Sequence, residues 1–404
     1  MSATRHRRLR AGKPVWLANR RPAVRRHPLN SSVEPDVLVV GAGISGALIA
    51  DAMVTAGKTV TVLDRRGPLQ GSTAASTALL QFEIDTPLST LARRIGRDKA
   101  ARAWWRSADG VEHLRARILD LAIDCDFAER CSVYLPGDQL DLDGLKREAE
   151  QRQAAGLRSA MIGRQELKRL TGIVRAGAVL SQGTAEADPI RLTASLWRAA
   201  VARGVKIHAP VEVDDVVSFR DHVRVKLTDG RSLRAGAVVF ATGYELVKFV
   251  QPKGYKIAST WAYATRVQKE NLWPSRCLIW EAADPYLYAR TDATGRIIVG
   301  GEDEPFSDAE TRDRLLPQKI AAIQRKLSKL MPKVDTAPVY AWCGSFGQSP
   351  TGLPLIGAIP HHPNCYAVLG FGGNGITFSA IAAQILQRQL CGLKDPDADL
   401  FRFS

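Results

Sequence analysis

Three glycines and an acid, Gly41, Gly43, Gly46 and Asp64, set the first chemical constraint in the chain. The glycines form a GxGxxG that follows the apolar run Val37 to Val40 and precedes a helical pattern, Ile44, Leu48, Ile49 and Met53. A second apolar run, Thr59 to Leu63, ends on Asp64, 18 positions beyond Gly46. In such a strand–turn–helix–strand unit the first glycine permits the tight turn. The second lets backbone approach a pyrophosphate, and the third lets the helix pack closely on the strand. The N–H groups that open the helix, at Ile44 and Ser45, and its positive dipole end favour an anion. An acid about 20 residues on is placed for ribose hydroxyls. The arrangement predicts dinucleotide binding. The same pattern also fits an ordinary βαβ unit with a glycine-rich turn.

The elements that must position these residues recur along 404 residues, a length that suggests two or three domains. The composition, 45% hydrophobic and 24% charged, is that of an ordinary globular chain. After Asp64 and Arg65, the stretch Gly71 to Leu80 is small and hydroxyl-rich, then apolar. Trp104, Ala108, Val111, Leu114, Ile118 and Leu121 trace a helical stripe, and 141–170 reads as charged and helical. Asp188-Pro189 opens a helix to Arg203, stopped by Gly204. Strands are expected at Val133 to Leu135, Ala178 to Gln182, Val205 to His208, Val223 to Leu227 and Ala237 to Gly243. The segment 255–303 reads as β-rich, Asp308 to Leu330 as one long helix, and Tyr366 to Leu369 as a strand before the glycine-rich turn Gly370 to Gly375 and a last helix, Ile376 to Leu390. Nucleotide-binding elements thus come first, in the middle and last. Segments 92–185 and 248–335 interrupt them, which predicts two interleaved domains.

The net charge is +15, and residues 1–35 carry nine Lys/Arg, Arg20 and Arg21 among them, against one acid, Glu34. This basic N-terminal extension reads as a solvated, partly ordered segment. A phosphate-rich partner such as nucleic acid is the alternative. Six scattered cysteines form no CxxC, metal-ligand spacing or disulfide framework, which fits a reducing, cytoplasmic compartment. No apolar run approaches the ~18 residues of a membrane span.

Four blocks resemble the D-amino-acid-oxidase-like FAD-dependent oxidoreductases, the group of glycine oxidase, sarcosine oxidase and D-amino acid dehydrogenase. They are Asp36 to Asp64, Gly71 to Leu79, Ala241-Thr242-Gly243, and Trp342-Cys343-Gly344 through Gly352-Leu353-Pro354 to Gly370–Ile376. The resemblance covers about 36–404. It implies a Rossmann-type FAD-binding domain (36–91, 186–247 and 336–404) interleaved with an α+β substrate domain built on an antiparallel sheet (92–185 and 248–335). It also implies that Gly41, Gly43, Ile44, Ser45, Gly46, Asp64 and Arg65 hold the ADP half of FAD, with Val213 at the adenine and Ala241 and Gly243 at the strand end beside it. Ser72, Thr73, Ser76, Thr77 and Gly344 would line the flavin. Gly352, Leu353, Gly372, Gly373, Asn374, Gly375 and Ile376 would sit at its pyrimidine edge. A helix N-terminus there would stabilise the negative charge of a reduced flavin.

Three departures bear on the substrate. Thr351 stands where the family often has an acid, and Phe346 where amino-acid-oxidising members place an Arg. Cys343 lies near the position of covalent flavin attachment in sarcosine oxidases but out of register, so a packed thiol is expected. Tyr286, Tyr288 and Arg290 alternate and share a strand face, so Arg290 is a candidate carboxylate anchor. An outward Arg on a sheet edge is the other reading. Tyr134, Trp280 and Glu281 are further candidates, and Lys256 is one for the reaction of reduced flavin with oxygen. His113 and His361-His362 read as surface residues. The expected function is oxidation of a C–N bond in a small amine or amino acid by hydride transfer to flavin N5, with oxygen or a quinone as electron acceptor. A flavoprotein acting on modified tRNA, and one whose redox activity is incidental to partner binding, are the alternatives.

Overall fold

The computed structural model describes residues 2–18, 22–29, 34–250 and 252–403; Arg20 and Arg21 of the basic extension lie outside the described residues. Val37–Val40 is buried at every position because it is the middle of a parallel sheet with both faces covered. That sheet has six strands in the order Leu355–Ala358, Cys365–Leu369, Ala237–Phe240, Val37–Val40, Val60–Leu63 and Lys206–His208, antiparallel only at Leu355–Ala358. Helices Ile44–Thr55, Gly375–Leu390 and Pro189–Ala202 cover one face. A three-stranded antiparallel sheet, Val213–Ser218, Val223–Leu227 and Ser232–Ala235, covers the other through Val223 and Val225 against Leu38 and Phe240.

A ten-stranded sheet forms the second layer system. It runs from Arg10–Gly12 through Pro338–Gln348, Lys256–Thr265, Ile297–Glu304, Leu287–Thr291, Leu278–Glu281, Ala128–Leu135 and Gly177–Glu186 to Leu79–Leu80, with Ser159–Gly163 also on Gly177–Glu186. Its pairs are antiparallel apart from Leu278–Glu281 on Ala128–Leu135.

Several sequence expectations shift. Pro338–Gln348, within the segment 336–404 assigned to the FAD-binding domain, pairs along its length with Lys256–Thr265 in the large sheet. Helix Arg97–Asp120 buries Trp104, Val111, Leu114 and Ile118 in the same core as Gly375–Leu390, so it packs on the nucleotide-binding half. Strand Ser159–Gly163 interrupts the region 141–170, after a reversal at Gly156 with φ +77°. The single helix expected over 308–330 is two, Ala309–Arg314 and Leu316–Leu330; Pro317 lacks the N–H that a continuous helix needs and starts a new one.

The N-terminal extension is the largest departure. Arg10–Gly12 pairs antiparallel with Gly344–Trp342. The Ala3 N–H donates to the Val213 carbonyl at 2.9 Å, Arg5 N–H to Leu246 at 2.9 Å, and His27 N–H to Ile207 at 2.7 Å. Leu9 is buried. Composition marked this stretch as solvated, but its sparse apolar residues and its backbone dock it across both sheets.

A methyl group at Gly46 would overlap the Gly41 carbonyl oxygen. Gly46→Ala should therefore destabilise the fold by about 3 kcal/mol, read as a lower midpoint in denaturant unfolding. An unchanged midpoint would show that the helix can retreat from the strand.

Candidate active site

The carboxyl ends of the parallel strands open into a cleft, as expected for an open α/β sheet. Its empty space, the solvent-open mouth included, is about 1740 Å³. At its outer end Gly41 has φ +117°, a backbone that favours glycine, and packs against Ala241. A Cβ at Gly43 would sit 3.2 Å from Thr73 Oγ1, so bare backbone faces the space before helix Ile44–Thr55. Thr73 Oγ1 also accepts the Ile44 N–H at 3.1 Å. Asp64 accepts N–H bonds from Ala42 at 2.7 Å, Arg66 at 2.8 Å and Gly67 at 2.7 Å. A carboxylate has about four lone-pair positions. Asp64 therefore ties the glycine turn to its own strand end and keeps capacity for one hydroxyl. Arg65 and Arg66 both line the cleft and both ion-pair with Glu245. Burial alone would raise the Glu245 carboxyl, but Arg66, the Arg7 N–H and Arg65 hold it below the usual range.

In the middle of the cleft, the loop after Gly71 is pinned by two indoles. Trp16 Nε1 donates to the Ser76 carbonyl at 2.8 Å and Trp342 Nε1 to the Ala75 carbonyl at 2.9 Å. Ala78 is held at φ +53°, an uncommon backbone for a residue with a Cβ. Across from it, a Cβ at Gly344 would meet Ala75 Cβ at 3.2 Å. Ser72, Thr73, Ser76, Thr77 and Gly344 all line the cleft, with Thr4 and Leu9 of the N-terminal segment.

At the inner end the turn Phe371–Asn374 leads into helix Gly375–Leu390, so that helix N-terminus faces the cleft. Gly373 N–H donates to Asp85 Oδ2 at 2.8 Å, and Asn374 Nδ2 to the Glu83 carbonyl at 2.6 Å. Gln81, Glu83 and Asp85 all line this end, as do Tyr244, Trp280, Tyr286, Tyr288, Phe346 and Phe371. Asp85 is exposed, and its carboxylate lines the cleft. The protein around it shifts that carboxyl upward, against the pull of the Gly373 N–H. Tyr286 O–H donates to Asp303 Oδ2 at 2.8 Å. Burial pushes the Asp303 carboxyl up to about 6 in spite of the Thr260 and Tyr286 hydrogen bonds.

The cleft gathers Gly41, Gly43, Ile44, Ser45, Asp64, Arg65, Val213, Ala241, Gly243, Gly372, Gly373, Asn374, Gly375, Ile376 and Tyr288 among the expected residues. Val213 keeps only part of its backbone free there, because its carbonyl accepts from Ala3. Gly46 lies under the turn rather than in the cleft wall. Gly352 and Leu353 are also outside it: Gly352 closes a turn on the Ser349 carbonyl, and Leu353 is buried in the core.

The substrate-side candidates fare worse. Arg290 is 1% exposed and donates to the carbonyls of Thr77 at 2.6 Å, Ala187 at 2.8 Å and Thr291 at 3.1 Å. With Glu186 at 3.5 Å as well, it braces the loop behind the cleft and is no carboxylate anchor. Lys256 is exposed and outside the cleft wall, because it begins its strand at the surface. Tyr134 is screened from the cleft by Trp280, on which it stacks with ring centroids 3.7 Å apart. Glu281 pairs with Arg175 at 2.6 Å. Cys343 points to the opposite side of its strand, 3.3 Å from Asp313 Oδ1, away from the cleft. The residues missed are Glu83, Asp85, Asp303, Tyr244 and the N-terminal Thr4 and Leu9. Gln81-x-Glu83-x-Asp85 carried a legible signal, three polar residues at strand spacing directly after the loop.

The family model described as FAD dependent oxidoreductase matches residues 36–389. The chain belongs to this family. It is 23% identical to gamma-glutamylputrescine oxidoreductase of Escherichia coli K12, over 92% of this chain and 86% of that one. It is 24% identical to a tRNA 5-methylaminomethyl-2-thiouridine biosynthesis bifunctional protein of Cupriavidus necator, over 94% of this chain but 60% of that one. The crystal structure of glycine oxidase from Geobacillus kaustophilus superposes with a TM-score of 0.75 at 20% identity, covering 92% of this chain and 98% of that chain. The protein is thus an FAD-dependent oxidoreductase with a Rossmann-type fold in its parallel-sheet half. No helix of the described residues is long and apolar enough to cross a membrane.

Arg290→Ala should cost about 3 kcal/mol of stability, since three buried carbonyls lose their donor and Glu186 a cation. Substrate affinity in the surviving holoenzyme should stay unchanged; a selective loss of affinity would restore Arg290 as an anchor. The raised Asp303 carboxyl gives a pH prediction. Below pH ~4 it is protonated folded or unfolded, and its contribution is lost as pH rises through about 6. The melting temperature of Asp303→Asn relative to the parent should therefore climb between pH 4 and 7. A constant difference would mean that burial does not perturb this acid.

Proposed function

We propose that the protein oxidises the C–N bond of a small amine, with FAD held in the cleft from Asp64 to the turn Phe371–Gly375. The observation that carries this reading is that the glycine turn, the pinned loop Ser72–Ala78 and the N-terminus of helix Gly375–Leu390 all line the same cleft. Side-chain-free backbone at Gly43 and Gly344 leaves room for a long flat ligand with a phosphate-bearing end. Bound FAD would supply a two-electron acceptor that takes hydride from the carbon bearing nitrogen, leaving an imine that water hydrolyses.

The chain's own groups do the rest. Helix Ile44–Thr55 offers N–H groups to the pyrophosphate, and Asp64 offers its remaining lone pair to a ribose hydroxyl. The N-terminus of helix Gly375–Leu390, which lines the cleft, would stabilise negative charge on bound FAD. Leu9, Phe346, Phe371 and Trp280 exclude water from the reacting end. Burial favours the neutral amine, the form that can give up hydride. No acid–base triad is needed, because the reacting carbon has only to be held against the acceptor. Oxygen or a quinone reoxidises the cofactor. A cytoplasmic setting goes with six cysteines that form no disulfide.

The tRNA reading draws on the basic extension and on what relatives are named for. Much of the basic segment that favoured it is docked, with Arg8 on Asp313 at 2.9 Å and Arg10–Gly12 in the sheet.

The purified protein should carry FAD that acid precipitation releases whole, since Cys343 faces away from the cleft. Anaerobic addition of a substrate amine should bleach the flavin band. Flavin that stays with the precipitated protein would reverse the non-covalent assignment. Full FAD occupancy with no bleaching by any amine or amino acid would sink the catalytic reading.

A further inference from the structure

The inner end of the cleft has an unbalanced charge. The wall carries the acids Asp64, Glu83, Asp85, Glu212 and Glu245, and its only Lys, Arg or His residues among those described are Arg65 and Arg66. Both arginines sit at the outer end on Glu245. Glu83 and Asp85 therefore face the inner space with no cation in the wall, and Asp303 lies directly behind Tyr286.

Glu83 is the more telling of the two. It is 2% exposed. Its Oε1 accepts from Ser132 Oγ, and Ser132 Oγ in turn accepts from Trp280 Nε1 at 3.2 Å. Its Oε2 is buried and has no partner. A buried carboxylate oxygen without a donor is costly, and a cationic ligand in the cleft would supply the donor. Asp85 has one N–H bond, from Gly373, and is otherwise open to the same space. Nearby cations stay out of the cleft wall. Arg152 donates through Nε to Glu148 at 2.8 Å and lies behind Tyr134 with its two other nitrogens unpartnered, and Arg290 is fixed by three carbonyls.

The walls between these acids and the middle of the cleft are aromatic: Trp280, with Tyr286 and Tyr288 at 5.7 Å between centroids. Aromatic faces accept methylene chains and attract ammonium groups. A substrate carboxylate at this end would meet Glu83 and Asp85 and find no Lys, Arg or His in the wall, a like-charge contact.

We propose that the inner end binds an alkyl di- or polyamine, with Glu83 and Asp85 holding its distal ammonium and Trp280, Tyr286 and Tyr288 walling its chain, and that it disfavours a carboxylate. The proposal rests on the amine-oxidoreductase reading and names its substrate class. A diamine suits that reading because one nitrogen can be neutral at the reacting carbon while the other stays charged among the acids.

The test uses the FAD-loaded enzyme under anaerobic conditions, with 1,4-diaminobutane, 1,8-diaminooctane, butylamine, N-methylglycine and proline. Two signals are read for each: perturbation of the flavin spectrum on binding, and bleaching. A diamine should bind at least about tenfold more tightly than butylamine, and both Glu83→Gln and Asp85→Asn should raise its Kd at least about tenfold. An unaltered resting flavin spectrum certifies the fold of each variant; if Glu83→Gln does not load FAD, Asp85→Asn alone decides. Tighter binding and bleaching by N-methylglycine or proline would overturn the diamine proposal and leave the oxidoreductase reading standing. Diamine binding that both variants weaken, without bleaching by any compound, would support the site and overturn the reading. Absence of both signals for the diamines would overturn the proposal.

Discussion

The contact of Gly46 with the Gly41 carbonyl leaves no room for a methyl group, and much of the molecule depends on it. That closeness fixes how helix Ile44–Thr55 leaves the parallel sheet and aims its N-terminus. Asp64, at the end of the neighbouring strand, then falls within hydrogen-bond reach of Ala42, Arg66 and Gly67 and locks the turn from the other side. Glu245 extends the lock outward by gathering Arg65, Arg66 and the Arg7 N–H. The outer end of the cleft is thus rigid for reasons internal to the protein, so a ligand there meets a preorganised surface.

The N-terminal segment extends this arrangement to the second sheet. Its backbone bonds to Val213, Leu246 and the strand Pro338–Gln348, so it touches the three-stranded sheet, the loop after Ala241 and the large sheet in turn. Trp16 reaches the Ser76 carbonyl and also stacks with the Arg290 guanidinium, 5.0 Å from its ring. The loop Ser72–Ala78 is therefore clamped between Trp16, Trp342 and Arg290. Such over-determination is what can hold Ala78 in a left-handed backbone, where an isolated alanine would relax.

What could be read from the sequence follows from how local each feature is. The glycine turn, Asp64 and the glycines before the last helix were legible because their backbone demands are written within a few residues. Arg290 was not. Its spacing placed it on the face of Tyr288, but its partners at Thr77 and Ala187 come from distant segments, and nothing near it in sequence announces them. Pro338–Gln348 reads as an apolar strand wherever it pairs, so its place in the large sheet rests on contacts that periodicity does not encode. The N-terminal segment misled through composition: charge density dominated the reading, and Leu9 and Trp16, which dock it, are too few to form a pattern. Gln81, Glu83 and Asp85 were legible by alternation, but next to an apolar loop they resembled the polar side of an ordinary strand.

The acids at the inner end explain features that a purely structural role does not. Burying Glu83 with one oxygen unpartnered works against folding, and desolvation pushes the half-buried Asp303 carboxyl up. A core built only for stability would place hydrophobic groups there. Instead, Ser132 orients Glu83 while leaving one of its oxygens unpartnered, and Tyr286 and Thr260 orient Asp303. The aromatic wall is held with equal care: Trp280 is fixed by Ser132 at its nitrogen and by Tyr134 across its face. Acids oriented beside fixed aromatic faces, in a space open to ligand, make an environment that a cation completes. Unneutralised acids there give differential affinity to positive charge, and a carboxylate at the same place gains nothing from them.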